Sequence, residues 1–290
     1  MVHIISENNG VMKIGASGDF SVFRTFDCGQ CFRFDPVYDS EYECEFEGVA
    51  RGRKIRFAQN KPGEFYIIGS SPDELSVWTD YLALDVDYDK INRSIAENVK
   101  NPSDRAVIER ARDASLGIRI LRQDKWEALC SFIISQNNNI PRIKKIISAM
   151  CEKYGDDIGG AYDFPSAKAL EEAGESEIFN LKCGFRAKYI HSAATAVANG
   201  YIDLEEVARA ESYAEAEEML TSLKGVGPKV AACTLLFGFE RYDAFPIDVW
   251  IKKVLAKYFS ENFDPASFGK AAGIAQQYLF YYERYLGGDA

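Results

Sequence analysis

A chain of 290 residues can hold one large domain or two to three small ones with real cores. Hydrophobic residues make up 47% and charged residues 27%, an ordinary globular balance, and no apolar run reaches the length of a membrane span. The formal net charge of −10 argues against general affinity for polyanions, so a nucleic-acid role needs locally placed cations.

The opening stretch, MVHIISENNGVMKIG, lacks the basic-then-apolar layout of a signal peptide, and the chain is expected to stay inside the cell. The seven cysteines are odd in number and scattered, which points to reduced thiols. Cys28 and Cys31 form CGQC, but no second such pair follows and there are only two histidines, so neither a metal site nor another cofactor is expected. From about 17 to 70 alternation dominates. The run YECEFEGVARGRKIRFAQNKPGEFYIIG, broken by Asn, Pro and Gly, predicts antiparallel strands joined by hairpins. Ser71, Pro72 and Glu74 then form a helix-start signal, with Leu75, Trp78 and Leu82 on one helix face.

After residue 113 the pattern is helical. Trp126, Leu129 and Ile133 share one stripe, as do Ile143, Ile146, Ile147 and Met150. Further helices are predicted around 187–199, 213–222, 228–238, 248–259 and 267–286. The expected fold class is therefore α+β: an N-terminal antiparallel-sheet domain with helices (1–113), then a helical region (114–290) of two subdomains. Charge is uneven. The runs 171–177 and 203–218 are acidic, whereas 119–125, 142–145, 185–188 and 252–253 are basic; either each run is a solvated helix face, or the basic runs converge on one surface while the acidic helices face away.

Within the helical region, LKGVGPKVAAC (223–233) reads as the turn and second helix of a helix–hairpin–helix. Gly225 and Gly227 permit a tight backbone, Pro228 presets the first helical turn, and the hairpin N–H groups can bind a phosphate. Lys229 is the anomaly, because a cation in the first turn opposes the helix dipole. It is solvated, bound to an anion, or used as a reagent. Cys233 lies one turn on, on the same face. In FPIDVW, Asp248 sits where a helix N-cap belongs. If the two helices pack, an amine and a carboxylate face one cleft, a pair suited to nucleophilic attack at a sugar C1′.

With those residues in view, the chain resembles the 8-oxoguanine DNA glycosylases of the helix–hairpin–helix superfamily. The motifs occur in order over nearly the whole chain: CGQCFRF (28–34), SQNNNIPRI (135–143), CGFRAKY (183–189), LKGVGPKVAAC, PIDV (246–249) and AQQYLF (275–280). The resemblance implies roles. Lys229 would expel the base and form a Schiff base with the opened sugar, followed by β-elimination. Asp248 would stabilise the positive charge that develops on the sugar and help position Lys229. Gly29 would offer its carbonyl to N7–H, a donor that 8-oxoguanine has and guanine lacks. Gln276 would read the Watson–Crick edge, while Phe280 and Cys233 would sandwich the flipped base. Asn137 would fill the vacated stack, and Arg142 and Arg186 would contact the orphaned cytosine. Phe185 would act as a wedge, and Gly225, Gly227 and Trp250 would lie against the DNA backbone.

Two positions depart from the family pattern. Phe185 stands where a tyrosine is familiar, and Trp250 where a histidine touches a phosphate; the acidic partner of that histidine maps to Glu283. The implied partner is duplex DNA containing 8-oxoguanine, with no membrane, bound by a monomer inside the cell: in the cytoplasm or nucleoid of a prokaryote, or the nucleus of a eukaryote. Two other readings compete: an alkylated-base glycosylase working through aspartate and water, against which Lys229 speaks, and a non-catalytic DNA-binding module, which leaves Asp248, Gln276 and Phe280 unexplained.

Overall fold

The structure, a computed structural model, describes residues 2–16 and 18–287. β1 (Val2–Asn8) and β2 (Val11–Ala16) pair through a two-residue turn, Asn9–Gly10, with φ of 49° and 74°. This hairpin precedes the region that the sequence reading assigns to strands. Asn-Gly suits a turn with both central residues at positive φ, whose twist matches the strands. β3 (Phe34–Pro36), β4 (Cys44–Ala50), β5 (Arg53–Lys61) and β6 (Glu64–Ile68) follow. All pairings are antiparallel, and β2 docks on β6 to give a six-stranded sheet in the order β1-β2-β6-β5-β4-β3.

Two short helices, α1 (Val22–Phe26) and α2 (Leu75–Tyr81), share an aromatic core with this sheet. Phe57 of β5 stacks on Phe26 at 5.2 Å and meets Trp78 edge-on at 5.7 Å. The indole N–H of Trp78, buried with the ring, donates to Ser70 Oγ at 2.6 Å. Ahead of α2, the Ser71 N–H donates to Glu74 Oε2 at 3.3 Å, as the helix-start signal requires.

The rest of the chain is helical: α3 (Tyr88–Ser94), α4 (Pro102–Ala114), α5 (Lys125–Ser135), α6 (Ile140–Tyr154), α7 (Ala167–Ile178), α8 (Ala187–Ala198), α9 (Leu204–Arg209), α10 (Tyr213–Thr221), α11 (Pro228–Gly238), α12 (Val249–Tyr258) and α13 (Ala272–Leu286). The fold is α+β, as expected. Every residue of α11 from Val230 to Gly238 is buried, as suits a helix that is apolar all round. α5 packs on it, with Phe132 and Phe237 stacked at 5.3 Å. The proposed division at residue 113 falls at the end of α4, whose Val107 and Ile108 pack into the helical core.

The CGQC segment straddles the two cores, with Cys28 in the helical one and Cys31 in the sheet one. Burial pushes the Cys28 thiol up to about 12 and raises that of Cys31 too, so both stay protonated. Convergence of all the basic runs does not hold. In 119–125, Arg119 is buried, Arg122 pairs with Asp80, Asp85 and Glu240, and Lys125 pairs with Glu205. Arg122 and Lys125 balance the protein's own carboxylates, and Arg119 donates to the backbone carbonyls of Asp19 and Val86.

Candidate active site

The hairpin between α10 and α11 is anchored by two apolar side chains, Leu223 and Val226, both buried, and the Val226 N–H donates to the Leu223 carbonyl at 3.0 Å. Gly225 has φ 86°, and a Cβ there would collide with the ring of Tyr189, so only glycine fits. Gly227 is extended, exposed and open around its Cα, and it caps α11 just before Pro228. The hairpin thus projects Lys229 from the first turn of α11 towards the end of α5.

Lys229 opens onto a cavity of about 410 Å³ whose walls include Gly29, Cys233, Asp248, Gln276 and Phe280. The Gly29 loop and α5, α6, α11, α12 and α13 converge there, and the size suits one small flat ligand. Lys229 Nζ donates to Ser135 Oγ at 3.3 Å and lies 5.6 Å from the centre of the Phe132 ring. Among the described residues no ion pair joins it to Asp248, which N-caps α12 by accepting from the Ile251 N–H at 2.8 Å. Burial pushes the Cys233 thiol up against the opposing pull of the Lys229 charge, so a neutral thiol faces the cavity. Gln276 is 6% exposed, and its buried Oε1 has no hydrogen-bond partner among the described residues. A buried acceptor left unpaired is costly and calls for a ligand donor.

The Gly29 loop is pinned on both sides. Gly29 has φ 75°, and a Cβ on it would stand 3.6 Å from the Phe280 ring. On one side, Gln277 Nε2 donates to the Cys28 carbonyl at 2.8 Å across 249 positions of sequence. On the other, the buried Gln30 side chain donates to Thr25 O at 2.8 Å and Arg119 O at 2.7 Å and accepts from the Leu121 N–H at 2.8 Å. Both glutamines lie within the motifs CGQCFRF and AQQYLF, yet the sequence assigns neither a role. The available signal is a polar residue inside an apolar stretch, and only burial shows that its amide bonds backbone.

The three asparagines divide the labour. Asn139 N-caps α6 by accepting from the Arg142 N–H at 3.0 Å, and Asn138 Nδ2 donates to Ile134 O at 3.2 Å near the end of α5. Asn137 is exposed at φ 53°. Arg186 is 3% exposed; it donates to Gln136 O, to Asn137 O at 2.8 Å and to Cys183 O at 3.2 Å, and its guanidinium lies 4.5 Å over the Phe185 ring. In the free protein Arg186 therefore holds the Asn137 turn. Arg142 is exposed, with one contact to Lys182 O at 3.2 Å. Phe185 and Trp250 are 48% and 45% exposed. Trp250 meets Phe280 edge-on at 6.5 Å and carries Lys253 over its face at 5.1 Å. Glu283 accepts from Tyr258 Oη at 2.8 Å and pairs with Lys257. A larger hollow of about 800 Å³ lies between α2 and α3, edged by Asp80, Asp85, Asp87 and Asp89; none of the expected site residues borders it.

A sequence model described as the N-terminal domain of 8-oxoguanine DNA glycosylase matches residues 14–129, and one described as the HhH-GPD superfamily of base excision DNA repair proteins matches 130–267. The N-glycosylase/DNA lyase of Saccharomyces cerevisiae is 34% identical over 271 residues, 84% of this chain and 69% of that protein. The Clostridium acetobutylicum 8-oxoguanine glycosylase/lyase, solved with double-stranded DNA containing cytosine opposite 8-oxoG, is 33% identical with a TM-score of 0.85 over 98% of this chain and 97% of that one. MBOgg1, solved with a low-affinity DNA ligand, is 37% identical with a TM-score of 0.87 and covers 99% of each chain. The chain belongs to the 8-oxoguanine DNA glycosylase family.

Proposed function

We propose that the protein excises 8-oxoguanine from duplex DNA and cleaves the strand at the resulting site, with Lys229 as nucleophile. The observation that carries this reading is one cavity with a lysine amine at its wall and an unpaired buried amide oxygen, that of Gln276, beside it. The extruded base enters between Phe280 and Cys233. Gln276 Oε1 accepts from its Watson–Crick N–H groups, and the Gly29 carbonyl accepts N7–H, which guanine lacks. The Lys229 lone pair forms an N–C1′ bond as the C1′–N9 bond breaks, and the bonding pair leaves with the purine, which takes up a proton. Asp248 stabilises the positive charge on the sugar meanwhile. Loss of the proton on nitrogen and opening of the ring, with O4′ protonated, give the imine. Removal of a C2′ proton then expels the 3′ phosphate, and water releases the amine.

Asn137, Phe185 and the exposed Arg142 occupy the gap and face the estranged cytosine, with Arg186 supporting that turn and reaching the cytosine as the turn adjusts. The hairpin N–H groups around Gly225 and Gly227, together with Trp250, meet the backbone. The substrate places the protein where cellular DNA lies, in the nucleoid or the nucleus. Borohydride trapping on an 8-oxoguanine:cytosine duplex tests the reading. The wild type is expected to give a stable protein–DNA adduct, and Lys229→Gln to lose adduct and scission while still binding the duplex. An adduct formed by Lys229→Gln would assign the nucleophile to another residue. A second duplex carrying 3-methyladenine separates the alkylated-base reading, which requires release of that base with no trapped adduct.

A further inference from the structure

Lysine attacks through its nitrogen lone pair, and its long side chain has no fixed orientation of its own. The charged partner expected to hold it, Asp248, makes no ion pair with Lys229 among the described residues; its carboxylate receives the Ile251 N–H instead. The hydrogen bond that the amine does make is to Ser135 Oγ, at 3.3 Å, with the Cys233 thiol as its other polar neighbour. Ser135 is the last residue of α5, and its hydroxyl donates to the Phe132 carbonyl at 2.8 Å. A serine hydroxyl has one proton to give. With that proton committed to Phe132 O, the oxygen facing Lys229 can only accept. A freely rotating hydroxyl could donate to the amine and occupy the lone pair. A locked one takes an N–H and leaves the lone pair for the cavity. The ring of Phe132, whose carbonyl sets the lock, stands 5.6 Å from the same nitrogen.

From this arrangement we infer that Ser135 is a positioning residue for the nucleophile, an acceptor locked by the end of α5 that aims the Lys229 lone pair at C1′. The inference rests on the reading of Lys229 as nucleophile. Ser135 opens the motif SQNNNIPRI, but the sequence gives it no role of its own, and the three asparagines that follow Gln136 draw the attention. The effect expected from misaiming a reacting group is large, because attack tolerates little displacement.

The test compares wild type, Ser135→Ala, Ser135→Thr and Lys229→Gln in single-turnover borohydride trapping on an 8-oxoguanine:cytosine duplex. Binding is measured in parallel on a duplex with a tetrahydrofuran abasic-site analogue, together with the melting temperature. Ser135→Ala is expected to slow adduct formation about 10- to 100-fold. Its affinity for the analogue duplex and its melting temperature should stay close to wild type, and Ser135→Thr, which keeps a hydroxyl, should recover most of the rate. Trapping by Ser135→Ala within about threefold of wild type overturns the inference while leaving the lysine reading intact. Equal rate losses in Ala and Thr, accompanied by lower melting temperature or weaker binding, assign Ser135 a structural role and overturn it as well. A wild type that forms no adduct overturns both readings.

Discussion

Gln276 holds an oxygen that the free protein leaves without a donor, in a position only 6% exposed. An unsatisfied buried acceptor costs about 1–3 kcal/mol, whereas an apolar group of the same shape does not. Gln276→Met is therefore expected to stabilise the free protein by about 1 kcal/mol and to lower base release from 8-oxoguanine DNA at least tenfold. Denaturant unfolding and single-turnover assays read the two effects. A variant that loses stability would show that the amide is already paired in the free protein. At this scale the sequence was informative where helix-start chemistry singles a residue out. Lys229 opposes a helix dipole and Asp248 fits an N-cap, so both were legible. Ser135, Gln30 and Gln277 were not, because their roles are hydrogen bonds to backbone that is distant or hidden until the chain folds.

The hairpin and the Gly29 loop make separable predictions at the level of elements. Gly225 is strained for any other residue at φ 86° and is crowded by Tyr189, while Gly227 is extended with open space around it. Gly225→Ala should cost roughly 2–5 kcal/mol of stability. Gly227→Ala should stay within about 0.5 kcal/mol of wild type yet weaken DNA binding by crowding a phosphate at the hairpin. Equal thermal losses in the two variants would refute that contrast. In the Gly29 loop, Gln277→Leu removes the donor to the Cys28 carbonyl. The preference for 8-oxoguanine over guanine should then fall about tenfold, and the protein should lose about 1–3 kcal/mol. Scission at preformed abasic sites, where no base is read, should be retained. Unchanged base discrimination would mean that Gln30 alone fixes the loop. Strand alternation and capping made most of these elements legible in the sequence. The β1–β2 hairpin carried a readable Asn-Gly turn between the strand-like stretches VHII and VMKI that the strand assignment passed over. The turn at Lys182, with φ 66°, had no such mark, because a lysine gives no local reason to adopt it.

For the molecule as a whole, a net charge of −10 has to be reconciled with a polyanionic substrate. Part of the answer is that many cations are already spent on internal pairs, such as Arg122 with Asp80, Asp85 and Glu240, and Lys168 with Glu171. What is left for DNA is local. Lys224 is exposed in the hairpin, Lys252 and Lys253 are exposed on the first turns of α12 beside Trp250, and Arg142, Lys182 and Lys188 are exposed near Asn137 and Phe185. Cations that replace condensed counterions make log affinity fall with log salt at a slope of about −0.9 per phosphate neutralised. Affinity for undamaged duplex should therefore fall steeply between low and moderate salt in spite of the acidic total. Lys252→Ala and Lys253→Ala should each weaken binding about equally across sequences and reduce the slope by about one unit, because a phosphate contact reads no base. Lys168→Ala, whose charge is committed to Glu171, should leave the slope unchanged. Equal slopes for wild type and the two α12 variants would mean that the backbone is held by the uncharged hairpin N–H groups, and that Lys252 and Lys253 only balance the protein's own acidic surface.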